Sequence, residues 1–422
     1  MKKIIINGGR KLRGDIPVSG MKNAALPIIF ACILTEDRCV LDNVPDVTDV
    51  NLSLRILEDM GAVVQRLGSG VVSVDTSKLH SQTTRQDLVA CLRASTYLLG
   101  AELGRFGEAL VGFSGGCDFG SRPIDQHHKG FEALGAKVTV ENGLNHVTAG
   151  PGGLRGGSVY LDIASVGATI NVMLAAVKAN GRTTIDNAAR EPHIVDLANF
   201  LNMCGAQITG AGTSFIKITG VEKLHGCSYT IIPDMIEAGT YMAAAAAAGG
   251  RVRVRGVIPK HMETVTAKLI EMGAGVDESD DSLTVSAASR LSNVNIKTFF
   301  YPGFPTDMHP QFAALLAGCD GTSVITEGVF DNRFKYADEL SKMNAEIHVS
   351  GRTATIIGRP NLQGAPVVAV DLRAGAALIV AGLAASGTTE ISRVETIERG
   401  YDNIVGKLKG IGADIALIDD GV

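Results

Sequence analysis

LEDMGAVV, residues 57–64, is the first of six copies of one phrase that recurs along the whole chain. The later copies are FEALGAKV (131–138), LNMCGAQI (201–208), LIEMGAGV (269–276), LSKMNAEI (340–347) and LKGIGADI (408–415). The central Gly or Asn recurs every 68–74 residues. Because Gly and Asn end helices in the left-handed conformation, each copy predicts the end of an amphipathic helix, followed by a strand. The regular spacing predicts six repeated units.

Upstream of each copy lies an apolar stretch without a polar face, which is typical of a buried helix. These stretches are NAALPIIFACIL from Asn23, RASTYLLGAEL from Arg93, SVGATINVMLAAV from Ser165, MIEAGTYMAAAAAA from Met235, MHPQFAALLAG from Met308 and RAGAALIVAGLAA from Arg373. A Gly turn and β-branched residues follow, as in GTTEIS (387–392), which predicts a strand. We therefore expect an α/β protein of two domains, each wrapping three buried helices in an outer shell.

Charged residues stand where these buried helices begin. They are Lys22, Arg93, Asp234, Asp307 and Arg373, with the uncharged Ser165–Gly167 at the equivalent place in the third unit. A cation at a helix N-terminus is unfavourable by roughly 0.3–1 kcal/mol. Cations repeated at equivalent positions point to function, and we interpret them as a cleft for a polyanion. The alternative is that each long side chain simply reaches solvent.

Composition excludes several classes of protein. The chain has 422 residues, a net charge of −5 and seven cysteines without regular spacing. This predicts a cytoplasmic protein with no nucleic-acid partner. The most apolar runs, 242–250 and 376–385, fall far short of the roughly 20 residues of a membrane span, so we expect no membrane insertion. We find no GxxxxGK[ST], helix-opening GxGxxG, HExxH or paired CxxC, so we expect no metal and no cofactor.

The loop GFSGGCDFGSRP (112–123) surrounds Cys117 with glycines. Most other cysteines lie in apolar runs, as do Cys32 and Cys91, and are expected to be buried. A cysteine in a glycine-rich loop is either an incidental exposed thiol or a reactive one.

Eight motifs, in this order along the chain, resemble those of the enolpyruvyl transferases. They are SGMKNAALP (19–27), GGCDFGSRPID (115–125), SVGAT (165–169), NAAREP (187–192), PDMIEAGTY (233–241), FPTDM (304–308), DLRAGAALI (371–379) and ERGY (398–401). The resemblance implies two inside-out α/β barrel domains of three units each. One comprises residues 20–232 with the Cys117 loop and the other residues 1–19 plus 233–422, with the active site between them.

The members that the chain most resembles transfer the enolpyruvyl group of phosphoenolpyruvate to the 3-hydroxyl of UDP-N-acetylglucosamine, in peptidoglycan synthesis. By the same resemblance Lys22, Arg122 and Arg399 bind phosphoenolpyruvate, with Arg93 and Arg373 at equivalent helix starts. The resemblance implies that Asp307 is the base for the hydroxyl; the alternative is a carboxylate at a helix N-cap, and both roles can hold together. The resemblance also implies that Cys117 protonates the substrate carbon, forms a covalent adduct with phosphoenolpyruvate and is the target of fosfomycin.

The resemblance also implies a binding site for the uridine nucleotide. Its residues are Arg122, Pro123, Ile124, Asp125, Gln126, Ile163, Ala164, Ser165 and Val166. The resemblance also implies that Val329 contacts the sugar and that Asn23 belongs to the substrate-binding residues. Glu191 either orders this site or is a surface carboxylate.

Some positions depart from the family pattern: Met235 stands where Arg is usual, Thr396 where His is common, and DNRFKYADEL (331–340) is a variant motif. These departures leave two alternative functions open. One is an enzyme of the same fold that acts on another hydroxyl acceptor, and the other is a catalytically reduced paralogue that only binds the nucleotide sugar. The sequence leaves the oligomeric state open.

Overall fold

The computed structural model describes residues 2–80, 85–113, 115, 123–141, 143–287, 290–359 and 361–419. Its contacts divide the chain into two compact units. We call Met1–Ser19 with Pro233–Val422 the terminal unit, because it holds both chain ends. Gly20–Cys117 with Ser121–Ile232 forms the central unit.

The helices of the described residues follow the repeats. The α-helices are α1 (Lys22–Ala31), α2 (Thr48–Asp59), α3 (Gln86–Val89), α4 (Tyr97–Phe106), α5 (Asp125–Ala133), α6 (Val166–Ala176), α7 (Pro192–Met203), α8 (Met235–Ala248), α9 (Glu263–Glu271), α10 (His309–Ala317), α11 (Tyr336–Lys342), α12 (Leu372–Ala384) and α13 (Ile404–Gly410). Short 3-10 helices span Cys32–Thr35, Arg93–Thr96, Pro259–Met262 and Val394–Thr396.

The strands of the central unit are β3 (Arg38–Asp42), β4 (Val63–Gly68), β5 (Val71–Asp75), β6 (Glu108–Gly112), β7 (Ala136–Glu141), β8 (Leu144–Ala149), β9 (Ser158–Tyr160), β10 (Arg182–Asp186), β11 (Gln207–Thr209), β12 (Phe215–Thr219) and β13 (Ser228–Thr230). Those of the terminal unit are β1 (Lys2–Asn7), β2 (Leu12–Pro17), β14 (Gly250–Arg255), β15 (Gly275–Ser279), β16 (Ser282–Ala287), β17 (Ile296–Lys297), β18 (Thr322–Thr326), β19 (Glu346–Ser350), β20 (Thr353–Ile357), β21 (Pro366–Val368), β22 (Thr388–Ser392) and β23 (Asp414–Asp419).

Each copy of the repeated phrase ends a helix and starts a strand, as predicted. The six junctions are α2–β4, α5–β7, α7–β11, α9–β15, α11–β19 and α13–β23. The central Gly or Asn has a positive φ in all six, from +68° at Asn344 to +102° at Gly61. Only this left-handed conformation turns the chain from helix to strand so abruptly, which explains why Gly dominates the position.

The predicted apolar stretches are buried helices. In the terminal unit α8, α10 and α12 pack on one another, and in the central unit α4 packs against both α1 and α6. Contact between α4 and α6 is close enough to require a glycine, because a Cβ at Gly100 would lie 2.4 Å from the backbone oxygen of Asn171. The Asn171 side chain accepts a hydrogen bond from the Gly100 amide (2.8 Å) and donates to the Thr96 carbonyl (3.0 Å).

The sheets surround these helices on one recurring plan. Five of the six sheets in the described part of the chain have four strands, with one parallel pair at an edge and two antiparallel pairs. The sixth is the three-stranded β6–β8–β7. Strands from the start of the chain complete two sheets of the terminal unit: β1 lies between β22 and β23, and β2 pairs with β14. In the central unit its last strand, β13, pairs with β3 near the start of that unit. The terminal unit is therefore discontinuous in sequence because the first strands finish two of its sheets.

No helix in the described ranges is both long and apolar enough to cross a membrane.

Cys32 is buried as expected, but the expectation for Cys91 is wrong, because this side chain is exposed. Cys91 lies in the turn between the end of α3 and the 3-10 helix that begins at Arg93. The apolar side chains of Leu88, Val89 and Leu92 around it are buried, whereas Cys91 faces solvent.

Candidate functional site

The candidate residues fall into two groups, one in each unit. Asp307, Val329, Arg373 and Arg399 belong to the terminal unit, and the remaining described candidates belong to the central unit. Cys117 and Arg122 lie outside the described residues.

Asp307 is the centre of the group in the terminal unit. Arg373 donates to its Oδ2 from Nη2 (2.8 Å) and Nε (3.2 Å), and Arg333 donates to its Oδ1. The two arginine side chains are only 3% and 5% exposed, whereas 26% of the Asp307 side chain remains open to solvent. Burial opposes the charge on Asp307, but the charges of Arg373 and Arg333 hold its pKa well below the ordinary value. Asp307 is therefore an ionised carboxylate between two buried cations.

The N-cap interpretation of Asp307 is wrong. The N-cap of α10 is Met308, and no side chain caps this helix. Carboxylate caps do occur at two neighbouring helices, where Asp234 accepts from the first amides of α8 and Asp371 from those of α12. Asp307 is free of that role because both of its oxygens face the arginines.

Arg333 itself is fixed by a second carboxylate. It donates from Nη1 to the hydroxyl of Thr306 (3.0 Å), which in turn donates to Glu327 (2.8 Å). The other Glu327 oxygen accepts from the backbone amides of Val329 (2.7 Å) and Phe330 (3.0 Å). Glu327 thus joins the candidate sugar contact at Val329 to the arginine that holds Asp307.

Aromatic side chains flank the same arginines. The Arg373 guanidinium lies 5.6 Å from the ring centre of Tyr401, and the Arg333 guanidinium 5.1 Å from that of Phe330. Arg399, two residues before Tyr401, is half-buried after the 3-10 helix Val394–Thr396. The terminal unit therefore gathers buried cations on rigid supports, an arrangement suited to an anion that must be held in one orientation.

Lys22 opens α1 in the central unit, as predicted, and is 8% exposed. Its Nζ lies 3.1 Å from the Asp49 carboxylate at the start of α2. Asn23 follows and is half-buried, and Arg93, also half-buried, is the first residue of its 3-10 helix. The contact with Asp49 therefore fixes the position of the Lys22 ammonium group at a helix start.

The two predicted nucleotide segments are brought together by Gln126. Its amide donates to the side chain of Asp162 (3.0 Å), and its carbonyl oxygen accepts from the Asp162 backbone (2.9 Å). Residues 123–126 therefore lie beside residues 162–166. In the first segment Pro123 and Asp125 are exposed and Ile124 is half-buried.

The second nucleotide segment leads into a helix N-terminus. Ser165 caps α6 by accepting from the Ala168 amide (3.3 Å). Ile163 is 57% exposed, which is unusual for a large apolar side chain, and Ala164 and Val166 are half-buried. Glu191 is also half-buried and stands at the N-cap of α7, and its role in ordering the site stays a prediction.

Four important side chains escaped the sequence analysis: Asp49, Asp162, Glu327 and Arg333. Arg333 lies within the variant motif DNRFKYADEL, so the signal was present but pointed to no partner. The other three are acidic residues that each have a side-chain partner distant in sequence: Lys22 for Asp49, Gln126 for Asp162 and Thr306 for Glu327. Among the residues with described positions, no group of His, Cys, Asp and Glu side chains is arranged to hold a metal ion.

Comparisons with known proteins agree over the full length. The family model described as EPSP synthase (3-phosphoshikimate 1-carboxyvinyltransferase) matches residues 6–408. A protein of Caldanaerobacter subterraneus named UDP-N-acetylglucosamine 1-carboxyvinyltransferase 3 is 53% identical over 99% of this chain and 100% of its own. A protein of Clostridium botulinum named UDP-N-acetylglucosamine 1-carboxyvinyltransferase is 51% identical over 98% of this chain and 99% of its own.

Solved structures share the two-domain inside-out fold, as predicted. The enolpyruvyl transferase NikO from Streptomyces tendae has a TM-score of 0.89 at 26% identity, covering 99% of both chains. An EPSP synthase from Acinetobacter baumannii has a TM-score of 0.75 at 21% identity, covering 99% of this chain and 100% of its own.

Proposed function

Since this chain belongs to the EPSP synthase family of enolpyruvyl transferases, we propose that it transfers the enolpyruvyl group of phosphoenolpyruvate to the 3-hydroxyl of UDP-N-acetylglucosamine and releases phosphate. One observation carries the choice of acceptor. The chain is 51–53% identical, end to end, to proteins named for this acceptor, and only 21% identical to an EPSP synthase. The product commits the sugar to peptidoglycan synthesis.

Phosphoenolpyruvate carries a phosphate and a carboxylate, so it needs several cations. The described candidates are Lys22, Arg93, Arg373 and Arg399, and Arg333 joins them because it shares Asp307 with Arg373. An incoming dianion competes with Asp307 for these guanidinium groups. When an anion shares the arginines, the field that depresses the pKa of Asp307 weakens, and the carboxylate becomes a better proton acceptor.

The reaction is an addition followed by an elimination. The acceptor oxygen attacks C2 of phosphoenolpyruvate while its proton passes to Asp307, and C3 receives a proton from the Cys117 thiol. A proton is then lost from C3, the C2–O bond to phosphate breaks, and the enol ether and inorganic phosphate are released. A thiol with an ordinary pKa of about 8.5 is protonated at neutral pH, as this role requires.

The residues proposed to bind the uridine nucleotide belong to the central unit. Residues 123–126 and 163–166 are held side by side through Gln126 and Asp162, and Ser165 presents the N-terminus of α6. Backbone amides at a helix N-terminus favour an anionic group such as a diphosphate. Both substrates belong to the cytoplasm, and we propose that location for the enzyme.

Phosphate release tests the reaction. Purified protein is incubated with phosphoenolpyruvate and with UDP-N-acetylglucosamine, shikimate 3-phosphate or no acceptor. We expect phosphate, and a product heavier by the enolpyruvyl group, only with the nucleotide sugar. Release with shikimate 3-phosphate would identify another acceptor, and nucleotide binding without phosphate release would identify a reduced paralogue.

A Lys22 variant tests whether this residue serves phosphoenolpyruvate and not the nucleotide sugar. Lys22→Ala is expected to weaken phosphoenolpyruvate use by about 1.5–3 kcal/mol, because a hydrogen bond to a charged group is lost. Calorimetry with the nucleotide sugar alone is expected to show near-normal affinity. Lys217→Ala, which removes an exposed lysine of the same unit, is the matched control. A large loss of nucleotide affinity in Lys22→Ala would contradict the assignment.

A further inference from the structure

Four cysteines of the central unit converge at one place, although they are far apart in sequence. Cys32 follows α1, Cys39 lies in β3, Cys204 ends α7 and Cys227 precedes β13. The Sγ atoms of Cys204 and Cys227 are 3.4 Å apart. The Cys39 thiol interacts with those of Cys32, Cys204 and Cys227. All four are free thiols, and the proposed reaction uses none of them.

Access to this thiol cluster is one-sided. Cys32, Cys39 and Cys204 are completely buried, whereas Cys227 is half-buried and reachable from solvent. The described residues contain no group arranged to hold a metal, so coordination does not account for the convergence. A small oxidant therefore meets Cys227 first, with a second thiol immediately behind it.

We propose that Cys204 and Cys227 form a reversible intramolecular disulfide when the protein meets a hydroperoxide. The Cys227 thiol gives up its proton as its sulfur attacks one peroxide oxygen, the O–O bond breaks, and the released hydroxide takes up a proton and leaves as water, which gives a sulfenic acid. The Cys204 thiolate then attacks the Cys227 sulfur and displaces hydroxide, which also leaves as water. In total two thiols lose two electrons and two protons, and hydrogen peroxide is reduced to two water molecules.

The backbone already holds the two residues next to each other. The His225 amide donates to the Cys204 carbonyl (2.9 Å), so the segment before Cys227 is tied to the end of α7. A disulfide needs its sulfur atoms about 2.05 Å apart, so they must approach by about 1.4 Å. We expect rotation of the two side chains to supply this movement while the backbone contact stays in place.

Cys39 is the competing partner for Cys227. Hydrogen bonds from Cys204, Cys227 and Cys32 lower the pKa of its thiol, which favours nucleophilic attack. For Cys227 the hydrogen bond with Cys204 lowers the pKa, but the hydrogen bond with Cys39 and burial outweigh it and raise this pKa to about 12. However, Cys39 lies inside β3, which is paired on one side with β5 and on the other with β13. The Cys204 Sγ lies 3.4 Å from the Cys227 Sγ, so Cys204 is the better partner for Cys227.

Peptide mapping of the full-length protein tests the proposal. Trypsin places the four cysteines on separate peptides, which are 23–38, 39–55, 191–217 and 224–251, and Cys117 falls on a fifth. After titration with hydrogen peroxide and digestion without reductant, we expect peptides 191–217 and 224–251 joined, with the loss of two hydrogen atoms. Dithiothreitol is expected to separate them again.

Variants assign the order of events. In Cys204→Ala, Cys227 is expected to accumulate as a sulfenic acid that dimedone traps. In Cys227→Ala, Cys204 is expected to stay reduced, because no solvent-reachable thiol precedes it. Cys319→Ala removes a buried cysteine of the terminal unit and is expected to leave the yield of linked peptide unchanged.

Three results in the unaltered protein would overturn the proposal, so it does not depend on whether a variant folds. They are a linkage of Cys227 to Cys39, linkages only between chains, and oxidation of Cys227 to sulfinic acid without any linked peptide. Persistence of Cys204 oxidation in Cys227→Ala would overturn the assigned order.

Discussion

Replacing Asp307 by Asn tests both the electrostatics of the terminal unit and the proposed base. The amide has nearly the same shape as the carboxylate, but it carries no charge and cannot accept the hydroxyl proton. Arg333 and Arg373 would then face each other across a neutral group, with side chains only 3% and 5% exposed. We expect a folded protein of lower stability that releases phosphate very slowly.

The magnitude follows from the burial of the three side chains. Removing one partner of a buried ion pair costs about 3–5 kcal/mol, because the remaining charge stays desolvated. Asp307 is 26% exposed, so water relieves part of this cost and we expect about 3 kcal/mol. The pKa of Asp307 is lowered in the folded state, so its contribution is complete above the unfolded value near 4 and is lost at more acidic pH. The effect is therefore fully present at pH 7.

Urea unfolding at pH 7 measures this effect, with Asp331→Asn as the matched control. Asp331 pairs with Arg352 in the same unit, but these side chains are 72% and 49% exposed, so the control is expected to lose at most about 1 kcal/mol. Inorganic phosphate is expected to restore stability to Asp307→Asn, by about 1.4 kcal/mol at ten times its Kd. Sodium chloride at equal ionic strength controls for screening.

Two results would refute this reasoning. If Asp307→Asn loses no more stability than Asp331→Asn, the buried arginines do not depend on the carboxylate. If its turnover is near normal, Asp307 is not the base, whatever its effect on stability.

Three further predictions concern positions outside the candidate site. The Glu237 carboxylate is 2% exposed and lies 2.6 Å from the Lys407 Nζ. Lys407→Met removes this cation and is expected to lower the free energy of unfolding in urea by about 3 kcal/mol. Adding Glu237→Gln to this variant is expected to recover most of the lost stability. Burial raises the pKa of Asp196 from 3.8 to about 6, so the unfolding free energy is expected to fall by about 2 kcal/mol as pH rises from 4 to 6.5. No such fall from this position is expected in Asp196→Asn, and equal pH profiles of the two proteins would contradict the assignment. Gly100→Ala places a Cβ 2.4 Å from the Asn171 carbonyl oxygen and is expected to cost about 1–3 kcal/mol, so an unchanged unfolding midpoint would show that α4 and α6 separate easily.

Much of the fold was predictable because its signals are local. A left-handed Gly such as Gly61 turns helix into strand whatever surrounds it, and a stretch without a polar face such as 235–248 can only be buried. Six repetitions of these signals specify six helix–strand units. The sequence does not show which strands pair across the chain, and so the insertion of β1 between β22 and β23 appears only in the structure.

In the candidate site too, some features follow from the sequence and others only from the tertiary structure. The sequence by itself determined which side chains stand at the helix starts, including Lys22, Asp307 and Arg373, because each lies next to a recognisable helix. The tertiary structure decided their partners: Asp49 for Lys22, and both Arg333 and Arg373 for Asp307. The physical reason is that a charge is set by residue type, whereas its burial and its pKa depend on groups brought close by the folding of distant segments.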